Sequence, residues 1–165
     1  MEKAVFFDRD GVINNDTGHY YIYRLADFIL NKGVIDALKL LQENGFRLFV
    51  ISNQGGISKG IYGKDDVEKV HRHMLNEFSK HKINIDEIYY CPHHSDFENC
   101  FCRKPGSLMI EKALARFNVD PAKSFLIGDS TRDIKAGERA GLTCILINKN
   151  ESVLNLCKQI AENGK

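Results

Sequence analysis

Five short apolar runs, each four to six residues long, alternate along the chain with segments whose apolar residues recur at helical spacing. The runs are Ala4–Phe7, Leu48–Ile51, Ile85–Tyr90, Ser124–Ile127 and Thr143–Ile147. Runs of this length between polar turns read as buried strands, and strands joined through helices lie parallel because each crossover returns the chain to the same end. The predicted fold class is α/β, a Rossmann-like three-layer sandwich with a central parallel sheet.

The intervening segments support that pattern. Val34, Ala37, Leu38 and Leu41 share one helical face, with Gly45 where a C-terminal glycine belongs. Val67, His71, Met74, Leu75 and Phe78 form a second stripe, preceded by Asp65 and Glu68 at capping-box spacing. Ile110, Ala113, Leu114 and Phe117 form a third, after Ser107. A fourth helix is predicted over 131–140, closed by Gly141, and a fifth from Ser152. The 165 residues are the size of one domain, expected over 1–165, without repeat or linker.

Composition narrows the function. A net charge of +1, with both signs interspersed, gives little electrostatic drive toward nucleic acid. No apolar run approaches the ~18 residues of a membrane span, and the chain enters its first strand without a basic and then apolar leader. The expectation is a soluble, cytoplasmic monomer with no nucleic-acid or membrane partner. Five cysteines are an odd number, which disfavours a full disulfide framework, and three of them crowd into Cys91 to Cys102.

Polar clusters follow the strands. Asp8-Arg9-Asp10-Gly11 succeeds the first run, so two carboxylates reach one volume at the carboxyl edge of the sheet while Gly11 permits a sharp turn. Ser52-Asn53-Gln54-Gly55-Gly56 succeeds the second, offering a hydroxyl, amides and glycine-exposed N–H groups suited to phosphate. Asp129 follows the fourth run and Asp133 lies in the next helical turn, where the helix dipole favours an acid. A third carboxylate beside Asp8 and Asp10 calls for a cation, and hard oxygens near phosphate suit Mg²⁺. Lys104 supplies a positive charge for the same site. Cys91, His93, Cys100 and Cys102 have the composition of a closed, structural Zn²⁺ site in a small loop at 91–102, with His94 a rival ligand. Cys144, in a strand, and Cys157, on a helix face, read as core residues.

The order D-x-D-G, Ser52, Lys104 and G-D-x-x-x-D resembles the haloacid dehalogenase (HAD) superfamily of aspartate-nucleophile phosphatases. The resemblance spans the chain, and short connections after Asp10 and Ser52 leave no room for a large cap domain. S-N-Q-x-G-I with C-x-H and C-x-C-R-K-P is similar to one branch, the heptose 1,7-bisphosphate phosphatases and their histidinol-phosphate phosphatase relatives. Asp16-Thr17-Gly18-His19-Tyr20 and Cys91-Pro92-His93-His94 favour the heptose side. Departures are Ser52 for a more usual threonine, a short zinc loop, and Ser130 for a frequent lysine.

The resemblance implies a Mg²⁺-dependent phosphomonoesterase of heptose metabolism, in nucleotide-activated heptose and surface-glycan synthesis, acting on a phosphorylated sugar. Asp8 would be the nucleophile, Asp10 the general acid and base, and Ser52 and Lys104 the phosphoryl contacts. Mg²⁺ would sit on Asp8, Asp10 and Asp129, with Asp133 orienting Lys104. Asp16, Thr17, Gly18, His19, Asn53, Gln54, Gly55, Arg103 and Ser130 are the expected substrate contacts. Rivals of other classes are a phospho-accepting signalling receiver and a zinc-stabilised nucleic-acid module.

Overall fold

A computed structural model describes residues 1–163. Five strands form one parallel sheet: β1 (Lys3–Phe7), β4 (Phe46–Asn53), β5 (Glu87–Cys91), β6 (Phe125–Gly128) and β7 (Thr143–Leu146), in the order β5-β4-β1-β6-β7. Two further strands, β2 (Asn14–Asn15) and β3 (Ile29–Leu30), pair antiparallel beyond β1. At two residues each they carry no readable period, which is why the sequence did not reveal them. β1 is central and pairs with β4 from Lys3–Phe46 to Phe7–Val50, and with β6 from Val5–Phe125 to Phe7–Ile127.

Helices cover both faces, so β1 is apolar from Ala4 to Phe7 rather than alternating. Its residues nevertheless divide by period two. Val5 and Phe7 pack with α1 (Val34–Glu43), α2 (Lys64–Ser79) and α5 (Leu154–Asn163) through Leu38, Leu41, Met74, Phe78 and Ile160. Ala4 and Phe6 face α3 (Leu108–Arg116) and α4 (Thr131–Arg139) through Met109, Ile110, Ala113 and Ala136. Cys157 is buried in the first cluster and Cys144 packs partly buried against the second.

Three local expectations are corrected. α2 starts two residues earlier than the Asp65–Glu68 spacing suggests, because the Asp66 carboxylate accepts from the Gly63 N–H at 2.9 Å and closes that end. α5 begins at Leu154, after Ser152 Oγ accepts from the Leu154 N–H at 3.5 Å. β4 is longer than its apolar run, so Ser52 and Asn53 belong to the strand, paired with Tyr90 and Cys91 of β5. Between β4 and β5 the chain forms α2 and loops alone. Among the described residues no helix is long and apolar enough to cross a membrane.

Candidate active site at the carboxyl edge of the sheet

Because the five strands run parallel, the chain leaves β1, β4, β6 and β7 at one edge. A cleft of about 520 Å³ opens there, lined by Asp8, Asp10, Ser52, Asn53, Gly55, Arg103, Lys104, Asp129, Ser130 and Asp133. The 16–21 segment, His94, Arg132, Lys149 and Asn150 complete its walls.

The two leading acids have different surroundings. Asp8 is stitched to β6, its N–H donating to the Ile127 carbonyl at 3.0 Å. Its Oδ1 accepts from Lys104 Nζ at 2.7 Å, and among the described residues its Oδ2 accepts no hydrogen bond. Asp10 is held on both oxygens: Oδ1 by Arg9 Nε and Asn14 Nδ2, each at 3.0 Å, and Oδ2 by Arg9 Nη2 at 2.9 Å and Gln54 Nε2 at 3.2 Å. Four donors fill the lone-pair positions of a carboxylate. The turn that presents Asp10 is tied by the Arg9 carbonyl, which accepts from the N–H groups of Val12, Ile13 and Asn14. Gly11, at φ +84°, is required twice over: its backbone is left-handed, and a Cβ would lie 2.1 Å from Asp129 Oδ2.

Lys104 is 4% exposed and uses all three of its protons on protein acceptors. Besides Asp8 they reach Asp133 Oδ1 at 2.6 Å and the Ile51 carbonyl at 3.0 Å. Despite its burial, Asp133 is held below the usual carboxylate range by Lys104 and by Ser130. Burial pushes Asp8 up to about 7, with Lys104 opposing and Asp133 and Asp129 reinforcing the shift. The lysine is thus first the partner of Asp133. Asp129 is pushed up to about 6 by burial and by Asp133, and among the described residues its carboxylate accepts no hydrogen bond.

Several expected substrate contacts are engaged elsewhere. Gln54 does not line the cleft: it is 1% exposed, donating to Asp10 and to Ser52 Oγ (2.7 Å) and accepting from Tyr62 Oη at 2.7 Å. Asn53 borders the cleft but grips the backbone of Lys104, accepting from its N–H at 3.0 Å and donating to its carbonyl at 3.1 Å. Ser130 caps α4 reciprocally with Asp133, its Oγ donating to Oδ2 at 2.7 Å. Asp16 pairs with Lys149 (2.9 Å) and accepts from Asn150 Nδ2 (3.1 Å). Thr17, Gly18, His19, Gly55 and Arg103 line the cleft.

Beside the cleft, the side chains of Cys91, His93, Cys100 and Cys102 lie within 4.8 Å of one another. Cys91 Sγ is 3.6 Å from Cys100 Sγ and 3.1 Å from Cys102 Sγ, and His93 Nδ1 is 3.5 and 3.3 Å from the sulfurs of Cys91 and Cys102. All the cysteines are free thiols. A tetrahedral ion with ~2.3 Å metal–sulfur bonds needs ligand separations of about 3.8 Å, close to this spacing. His94 is outside the cluster, its Nδ1 accepting from the Asp96 N–H at 3.2 Å. The loop is coupled to the cleft because Arg103 Nη1 donates to the His93 carbonyl at 2.9 Å.

A family model described as HAD-hydrolase-like matches residues 101–162. A D-glycero-beta-D-manno-heptose-1,7-bisphosphate 7-phosphatase from Haemophilus influenzae is 39% identical over 142 residues, covering 83% of this chain and 76% of that protein. A D-glycero-alpha-D-manno-heptose-1,7-bisphosphate 7-phosphatase from Campylobacter jejuni is 41% identical, covering 90% and 84%. The chain belongs to the heptose bisphosphate phosphatase branch of the HAD-like hydrolases. The crystal structure of the D,D-heptose 1,7-bisphosphate phosphatase from B. bronchiseptica, complexed with magnesium and phosphate, has a TM-score of 0.83 at 28% identity, covering 94% of this chain and 86% of that one.

Membership in a phosphatase branch sets aside the signalling-receiver reading. In this HAD-like hydrolase, the donor set suits a hard divalent cation: Asp8, Asp129 and Asp133 bring oxygens within 4.8 Å, and two of the three resist ionisation without a counter-charge. Arg9, Asn14, Tyr62, Arg132, Lys149 and Asn150 escaped the sequence reading. Arg9, between two acids, was legible as a cation next to a reacting pair, but nothing in the sequence gives its direction.

Proposed function

We infer that this protein is a Mg²⁺-dependent phosphomonoesterase that removes the 7-phosphate of D-glycero-D-manno-heptose 1,7-bisphosphate. The observation that carries the chemistry is the contrast between Asp8, with one oxygen free in the cleft, and Asp10, tied by four donors. Asp8 attacks phosphorus in line and becomes an aspartyl phosphate, while Asp10, protonated on Oδ2 once the long 3.2 Å bond from Gln54 yields, passes that proton to the departing sugar oxygen. Asp10 then takes a proton from the water that cleaves the intermediate. Esterification removes the charge from Asp8, so Lys104 can transfer one of its hydrogen bonds to a phosphoryl oxygen while Asp133 keeps its direction. Ser52 Oγ and the backbone near Gly55 contact the same group.

Asp8, Asp129 and the backbone carbonyl of Asp10 would hold Mg²⁺. When bound, the ion neutralises negative charge so that carboxylate and phosphate can approach. A structural Zn²⁺ on Cys91, His93, Cys100 and Cys102 would fix the segment presenting Arg103 and Lys104. Metal analysis is therefore expected to find one tightly held zinc, and Cys100→Ala to lower Tm by about 5–10 °C and reduce activity. Absence of zinc, or a Cys100→Ala protein of normal Tm and turnover, would remove that role.

The substrate reading rests on the named relatives and on the cations of the cleft. Arg103 and Arg132 line it, and burial together with Lys59, Arg103 and Arg132 holds His94 below its ordinary pKa. That surface suits a second phosphate. Histidinol phosphate carries an amine, and the acid of the substrate loop, Asp16, is already paired with Lys149. Phosphate release assays should give kcat/KM for the heptose bisphosphate at least about 100-fold above histidinol phosphate. Arg103→Ala should weaken the bisphosphate more than a monophosphate. Equal or better use of histidinol phosphate would reverse the substrate assignment and leave the phosphatase chemistry standing.

A further inference from the structure

Arg9 is the largest fully buried side chain, yet nothing in the mechanism above employs it. Its guanidinium meets Asp10 as a fork, through Nε and Nη2. Its other contacts are the Ile22 carbonyl, which accepts from Nη2 at 2.6 Å, and His71 Nε2, 3.2 Å from Nη1. A guanidinium has donors and no acceptor, so Nε2 must offer its lone pair and the ring proton must sit on Nδ1. His71 is 7% exposed on α2, and its ring stands edge-on to Tyr90 of β5 with centroids 5.5 Å apart. Burial and the charge of Arg9 lower its pKa to about 3, so the ring stays neutral.

We propose that His71 and Arg9 form a positioning clamp, in which the neutral Nε2 of His71 pins the far edge of the Arg9 guanidinium and thereby fixes the carboxyl group of Asp10 for proton transfer. The inference rests on Asp10 as the general acid. An arginine has many rotamers, and its fork orients a carboxylate only if its own plane is fixed. Here the plane is fixed by two anchors on different parts of the chain, Ile22 and α2. Asn14 and Gln54 hold the carboxylate from its other sides. Transfer to a leaving oxygen depends on distance and alignment, so loosening one anchor acts on the proton step rather than on binding.

The test compares His71→Leu and His71→Gln on two substrates, the heptose bisphosphate and p-nitrophenyl phosphate, whose leaving group departs without a proton. His71→Leu keeps the bulk and removes the acceptor; His71→Gln supplies a carbonyl oxygen to Nη1. We expect His71→Leu to lower kcat on the sugar phosphate about tenfold with KM within about twofold, the aryl phosphate to be affected less, and His71→Gln to recover most of the loss. In ¹⁵N spectra of the wild-type protein, His71 should carry its proton on Nδ1. Equal losses on both substrates, a Gln variant no better than Leu, or a proton on Nε2 would overturn the clamp. The spectrum decides even if the Leu variant fails to fold. Wild-type protein inert toward the heptose bisphosphate would instead sink the substrate assignment, and the same kcat comparison on glucose 6-phosphate against the aryl ester would still judge the clamp.

Discussion

Asp8→Asn is expected to reduce kcat by about 10⁴-fold or more while leaving the fold intact. The amide has the shape of the carboxylate and its oxygen can still accept from Lys104, but it carries no anionic oxygen to attack phosphorus. The fold should tolerate it well. Burial, reinforced by two neighbouring acids, already pushes Asp8 up to about 7, so the substitution removes a charge the site stabilises poorly without metal. Lys104 keeps Asp133 and the Ile51 carbonyl as acceptors. Melting without added metal should therefore give a Tm equal to or above wild type, and Mg²⁺ should raise it less than in wild type because one ligand is lost. Turnover within tenfold of wild type, in protein verified by mass spectrometry as not deamidated, would remove Asp8 as the nucleophile.

The elements legible in the sequence are those whose side chains see a uniform environment. β1 reads as an apolar run because Ala4, Val5, Phe6 and Phe7 are all fully buried, and α1 reads as a stripe because Val34, Ala37, Leu38 and Leu41 share its buried face. The edge of the sheet was legible for a related reason: polar residues interrupt apolar runs where strands end. Ser52 is a partial exception, since it lies within β4 and is 1% exposed. What the sequence did not yield is the direction of side chains near that edge. Gln54 and Asn53 are polar neighbours at the end of β4 with the same signature as a substrate contact, but one turns under Asp10 and Ser52 and the other grips the Lys104 backbone. Arg9 lies between two acids in sequence, and whether it points at substrate or inward depends on Ile22 and His71, 13 and 62 residues away. Contacts of that separation leave no local period, so reading them requires the fold.

Lys104→Ala should cost both activity and stability, and the two losses should respond differently to a second substitution. The lysine is the positive centre between Asp8 and Asp133, its proton donors 2.7 and 2.6 Å from their oxygens. Removing it strands a buried carboxylate at Asp133, a change that costs about 3–5 kcal/mol when one partner of a buried pair is deleted. It also removes the donor assigned to the transferring phosphoryl group, for which a loss of about 10²–10³ in kcat is typical. Asp133→Asn added to Lys104→Ala takes away the stranded charge, so the double variant should melt above the single one. Activity should not return, because the Lys104 donor to the phosphoryl group is missing from both proteins. Thermal melts in EDTA and phosphate release with Mg²⁺ separate these arms. A Lys104→Ala protein with wild-type Tm would show that the lysine does not compensate the buried acids. A double variant that regained turnover along with stability would mean that Lys104 acts by holding the fold and not by holding the phosphoryl group.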